Sequence, residues 1–310
     1  MPKEDKTPTD EITGRFALDE LSETQRMRID AQRRQRVNGN GGGTDAADVL
    51  ARRGASYAAL GQNGQAIAFY QQAVDAYRVA NDPSGEAVTL ASMASAHWQI
   101  GHTEEAVAAY VDAADAYRAA GSTRGQATAL NCLGVIHEQR NNLEAALGYH
   151  EQALALLFDS DDPMGEAATL DVIAVLQRKL GRYDDALSTH RDALAIRRTH
   201  NDTSGEASTR HAIAVCYEEK GEVEKAIAFY EWALSLRRRA IDYRGEALTA
   251  YNLAKLYERI GKLGEAESLL ARVVEIEASI NSPDLPRDRS ELAALRQRIR
   301  GEAAVPAAQS

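Results

Sequence analysis

The chain has few of the residues that interrupt or cross-link structure. Of 310 residues only seven are proline, and none lies where it would break a periodic segment. Aromatics make up 6%, so a core of large rings is excluded and alanine and leucine must do most of the packing. The two cysteines, Cys132 and Cys216, lie two units of the chain's repeat apart and are not expected to meet. They read as reduced thiols of a cytoplasmic protein. No apolar run is long enough to span a bilayer, and the opening MPKEDKTPTDEITGRF has no signal-peptide core. A basic excess is missing too: the net charge is -10 and the pI about 5.3. That balance argues against a nucleic-acid partner, because phosphate counterions are displaced by clustered lysine and arginine. β-Branched alternation is scarce, which leaves an all-α chain.

What is present is a period. Gly61, Gly101, Gly181, Gly221 and Gly261 recur every 40 residues, with Asn141 in the one gap. A second glycine series runs through Gly85, Gly125, Gly165, Gly205 and Gly245. Ala66, Ala106, Ala146, Ala186, Ala226 and Ala266 form a third series. A period of this length without insertions signals stacked supersecondary units.

Residues 82–121 illustrate the unit. Asp82 is placed to cap a helix that opens with Pro83, and Asp162–Pro163, Asp202 and Asp242 repeat the position. That first helix runs to about Ile100 and ends at Gly101, which can take the left-handed conformation. Asn141 tolerates the same conformation. A second helix starts near Thr103 and presents Ala106, Tyr110, Ala113 and Tyr117 on one face. Each hairpin leaves an apolar side that only the next hairpin covers.

The pattern Leu133–Gly134, His137, Asn141, Ala146, His150 and Ala153 resembles the tetratricopeptide repeat (TPR) signature. The 40-residue unit with Gly-Glu-Ala opening its first helix is similar to the subclass in Pins-type adaptors, kinesin light chains and bacterial TPR regulators. The resemblance implies a right-handed α-solenoid of about six helix hairpins over residues 45–281, with a capping helix at 282–301 and a disordered tail at 302–310. Leu292, Leu295 and Ile299 give the cap one apolar stripe. Arg53, where a large apolar residue belongs, marks the first repeat as worn, and Arg210 is a second departure. Residues 1–44 read as a flexible arm, ending in the Gly-rich stretch 38–43. The arm is acidic over residues 1–25, and five arginines fall between Arg26 and Arg36.

No catalytic, metal or cofactor signature is found. NGNGGGTD lacks the Lys-Ser/Thr of a phosphate loop, and repeat-related histidines 40 residues apart sit on successive hairpins rather than in one metal shell. The arginines ending second helices, Arg197–Arg198 and Arg237–Arg239, are explained by the helix dipole.

The TPR resemblance implies a concave groove lined by first helices. Its candidate partner contacts are Trp98, Asn131, Glu138, Asp171, Arg178, His211, Tyr251, Asn252 and Lys255. Trp98 is expected to be an exposed anchor. The Lys/Asn set with which chaperone-binding TPRs clamp a carboxylate is absent. The expected function is a non-catalytic scaffold that binds an extended or helical segment of another protein. One alternative is a regulator in which a short peptide, or the arm through Phe16–Leu21, occupies the groove and switches effector binding. A homodimer through the worn first repeat stays open.

Overall fold

The computed structural model describes residues 41–158 and 160–304. Of the expected arm 1–44, residues 1–40 lie outside the described residues, whereas 41–44 open the first helix. Of the expected disordered tail 302–310, residues 302–304 continue the last helix and those beyond 304 lie outside the described residues. Among the described residues there are thirteen helices and no strand. The chain divides into two compact units, Met1–Gly121 and Ser122–Ser310. In the first, α1 (Gly41–Ala59) pairs with α2 (Asn63–Ala80), and α3 (Pro83–Gln99) with α4 (Thr103–Ala119). The second holds four hairpins: α5 (Thr123–Gln139) with α6 (Leu143–Phe158), α7 (Pro163–Lys179) with α8 (Tyr183–Thr199), α9 (Thr203–Glu219) with α10 (Val223–Arg239), and α11 (Tyr243–Arg259) with α12 (Leu263–Ser279). A last helix, α13 (Leu285–Ala304), packs on α12. Within each unit every helix packs on the next.

The repeated residues explain these boundaries. Asp82 accepts hydrogen bonds from the Ser84 and Gly85 amides, and Asp162, Asp202 and Asp242 accept from Gly165, Gly205 and Gly245. Each cap satisfies amides that the first turn leaves unpaired. First helices end in left-handed backbone at Gly61, Gly101, Asn141, Gly181, Gly221 and Gly261. A parallel left-handed series ends second helices at Asn81, Gly121, Asn201, Ile241 and Asn281. Ile241, with φ 56°, is strained there because a β-branched side chain crowds the backbone.

All six periodic alanines, Ala66 to Ala266, are fully buried. They let paired helices approach closely, and the large residue one turn on faces a small residue of the first helix. A Cβ at Gly54 would meet the Tyr70 ring, and one at Gly134 the His150 ring. The second glycine series has its own cause. A side chain from the preceding second helix lies over the opening turn of the next first helix. A Cβ at Gly85 would collide with the Tyr77 ring, at Gly205 with the Arg197 guanidinium, and at Gly245 with Arg237.

Both departures from the repeat pattern are visible. Arg53 is exposed. Arg210 is buried, pairs with Glu206 and lies 4.7 Å from the centroid of the Trp232 ring.

Candidate partner-binding surface

The row Asn131, Asp171, His211 and Tyr251 lies on successive first helices of the second unit, and each member is bonded to neighbouring helices. Asn131 meets His150 Nδ1 through Oδ1 at 2.8 Å, and its Nδ2 donates to Thr169 Oγ1 at 3.2 Å. Asp171 meets His190 Nδ1 at 2.8 Å and accepts from Thr209 Oγ1 at 2.8 Å and the Arg197 guanidinium at 2.7 Å. His211 Nδ1 lies 3.1 Å from Thr249 Oγ1, and its ring sits edge-on to Tyr230 at 5.4 Å. Asn252 Nδ2 approaches His211 Nε2 at 3.3 Å. Burial holds the His211 imidazole down to about 4, with the nearby Arg237 charge adding to the shift. Tyr251 donates to Glu291 of α13 at 3.2 Å.

These residues therefore staple one hairpin to the next. For Asn131 and Asp171 the partners lie 19 residues on, in the same hairpin, and 38 residues on, in the next. The threonines at 169, 209 and 249 are buried. Sequence reasoning missed them, although their 40-residue spacing was available as a signal.

A second set of staples joins the ends of the first helices. Glu138 pairs with Lys179 at 2.6 Å, Arg178 with Glu219, Glu218 with Arg259 at 2.6 Å, and Glu258 with Arg298. Lys255 reaches Glu258 at 2.9 Å and Glu291 at 3.4 Å. Exposed pairs of this kind contribute about 0–1 kcal/mol each, so they fix register more than they stabilise.

Two sequence-based expectations need correction. Trp98, on α3 of the first unit, is partly buried rather than exposed. The exposed tryptophan is Trp232 on α10, 56% accessible and 6.0 Å from the Phe229 ring. The helix dipole is also an insufficient account of Arg197 and Arg237. Arg197 bridges Asp171 and Asp202, each at 2.7 Å, and Arg237 donates to the Gly245 carbonyl while remaining 6% exposed.

The open space on the first-helix face follows from one repeat position. Tyr77, Leu157, Arg197, Arg237 and Glu277 share it, each pointing from a second helix towards the next hairpin. Where the occupant is Leu157, too short to cover the turn, a cavity of about 290 Å³ remains between α5 and α7. Its walls include Thr128, Val135, Val172 and Ala168, with Asn131 and Arg124 as polar groups. Val135 is 41% exposed there. Where the occupant is Glu277, a larger cavity of about 460 Å³ opens between α11, α12 and α13.

With this geometry the comparisons agree. The family profile described as tetratricopeptide repeat matches residues 45–119, 125–199, 165–239 and 205–279. The chain belongs to that family. Among solved structures it is similar to BtubC (BKLC) from P. vanneervenii, with 19% identity and a TM-score of 0.60 over 69% of this chain and 91% of that one. It is also similar to the STAND protein PH0952 with a tetratricopeptide repeat sensor from Pyrococcus horikoshii, at 17% identity and TM-score 0.67 over 87% of this chain and 42% of that one. Aspartyl phosphate phosphatase F from Bacillus subtilis matches at 14% identity and TM-score 0.56, over 91% and 79%. At these identities the likeness is one of fold. No match was found among curated proteins. No helix among the described residues is long and apolar enough to cross a membrane.

Proposed function

We propose that this TPR protein is a non-catalytic scaffold, holding an extended or helical segment of a partner protein along the face built by the first helices of its hairpins. The observation that carries this reading is the cavity between α5 and α7. It combines apolar walls with a few polar groups, as binding clefts do, and Val135 stands exposed in it. The stapled row beneath it keeps the surface preformed, so most of the ordering on binding falls on the partner segment. Asn131, Asp171, His211 and Asn252 support the surface, and the contacts fall to Thr128, Val135 and Val172. A reducing, cytoplasmic setting fits Cys216, whose thiol is fully buried and pushed up to about 11 by that burial.

The test is affinity capture from host lysate with wild type and two single variants of equal helicity. Val135→Asp places a charge in the α5–α7 cavity, whereas Trp232→Ala alters the second-helix face. A partner lost with Val135→Asp and kept with Trp232→Ala supports the reading. The reverse pattern moves the interaction to α10.

A further inference from the structure

The geometry points to a second feature of the same surface: the cavity at the α11–α13 end is a subsite for an arginine side chain of the bound segment. This rests on the scaffold reading and names the chemistry at one end of it.

The argument begins with the repeat position that Glu277 occupies. In the two preceding hairpins that position is Arg197 and Arg237, whose guanidinium groups lie over the opening turn of the next first helix. The protein thus fills two related clefts with its own guanidinium. At the third the sign is reversed. Glu277 is 6% exposed, and its Oε2 is buried without a hydrogen-bond partner, beside a cavity of about 460 Å³. A buried carboxylate oxygen without a donor is costly, and space for a donor lies next to it.

A hydrogen bond joins the Glu277 carboxyl to Asp288, but no cation meets its buried Oε2. From α13 it faces Asp288 and Arg287, and from the α12–α13 turn Asp284. Arg287 is engaged with Asp288 at 2.7 Å and Asp284 at 3.1 Å, and lies 5.3 Å from the Tyr251 ring centroid. From α11 the remaining ionisable groups are Tyr251, bonded to Glu291, and Arg244, exposed at the rim. Burial first, and Asp288 second, hold the Glu277 carboxyl up to about 7. A cation that enters would draw off that proton. Leu248, Val273 and Ile280 provide an apolar wall for the methylene stem of such a side chain. Arginine fits better than lysine, because its planar fork presents donors to the Glu277 carboxylate in fixed directions while its stem lies along the apolar wall.

The probe is N-acetyl-arginine amide, titrated into the full chain by NMR or calorimetry, with the uncharged N-acetyl-citrulline amide as isostere. The arginine probe should bind at pH 8 at least about tenfold more tightly than citrulline, and should weaken as pH falls to 6 and Glu277 takes up its proton. E277Q should lose about the same factor. E277R should abolish binding by filling the cleft with its own guanidinium, as Arg197 and Arg237 do. Equal binding of the two probes, no binding at pH 8, or an unchanged E277Q would overturn the subsite. The pH series needs no variant, so a misfolded mutant cannot obscure the answer. Capture of the lysate partner by the wild-type chain is scored separately. Equal binding of the two probes with that capture intact is failure of the subsite alone, and loss of the capture result with probe binding intact is failure of the scaffold reading alone.

Discussion

The two units build the same hairpin from different chemistry. In the first, the stapling row is Ala51 and Ala91, and the junction between hairpins is covered by Tyr77, whose hydroxyl donates to Asp48 at 2.5 Å. In the second, the row is Asn131, Asp171, His211 and Tyr251, and two junctions are covered by arginine. Backbone period is therefore independent of how the layers are joined. Turn residues and small residues set the period; the joint is free to be aromatic or polar. A polar joint specifies its partners more strictly, since each buried donor or acceptor left over is destabilising.

That contrast can be broken most severely at Asp171. Asp171→Ala removes the acceptor shared by His190, Arg197 and Thr209, leaving the buried His190 and Thr209 groups without it and a largely buried guanidinium with Asp202 as its one remaining carboxylate. The expected loss is about 3 kcal/mol in urea unfolding. Tyr77→Phe, which removes one hydrogen bond in the first unit, should lose only about 1 kcal/mol. Equal losses would dissolve the distinction.

Titration sharpens it within the second unit. The His211 imidazole sits at about 4 when folded, below its unfolded value near 6.5. Its contribution is thus present above pH 6.5 and lost as pH falls towards 4, on the order of 2–3 kcal/mol. Glu277 runs the opposite way. Its carboxyl, held up to about 7, gives stability that is full below the unfolded value near 4.5 and lost as pH rises through 7. In wild type the two trends oppose each other between pH 4.5 and 6.5. His211→Asn should flatten the acid side of the stability curve, and E277Q should raise stability at pH 8. Urea midpoints measured across pH 4–8 test both signs.

The glycines that open first helices give a smaller effect. At Gly85 an added methyl meets a packed ring, Tyr77, whereas at Gly165 it meets the Asp162 carboxylate at 2.8 Å, which caps the same turn. Gly85→Ala should destabilise by about 1–2 kcal/mol, and Gly165→Ala by less, at most about 1 kcal/mol, as a weakened cap is partly offset by helix propensity. The smallest change is a gain. Ile241 is 68% exposed with φ 56°, so Ile241→Gly should raise the unfolding free energy, measured in urea, by about 1 kcal/mol through relief of strain.

Much of the fold was legible because it depends on local chemistry. Asp82, Asp162, Asp202 and Asp242 cap the turns that follow them, and Asn141 replaces glycine where a left-handed residue is needed. Those relations span a few residues and can be read in one line of sequence. The surface was harder. Asn131 and Asp171 look like free polar groups on a helix face, because the histidines and threonines that bind them lie 19 and 38 residues away. Arg197 looked like a helix-end charge for the same reason. Trp98 and Trp232 show that periodicity assigns a face but not an exposure, which depends on the size of every neighbour.

The most direct measurement of the scaffold reading is hydroxyl-radical footprinting of the protein alone and in complex with its captured partner. The account predicts loss of labelling at Val135 and Val172 on binding, with Trp232 unchanged. Protection of Trp232 with Val135 and Val172 labelled as before would contradict it and place the partner on the second helices.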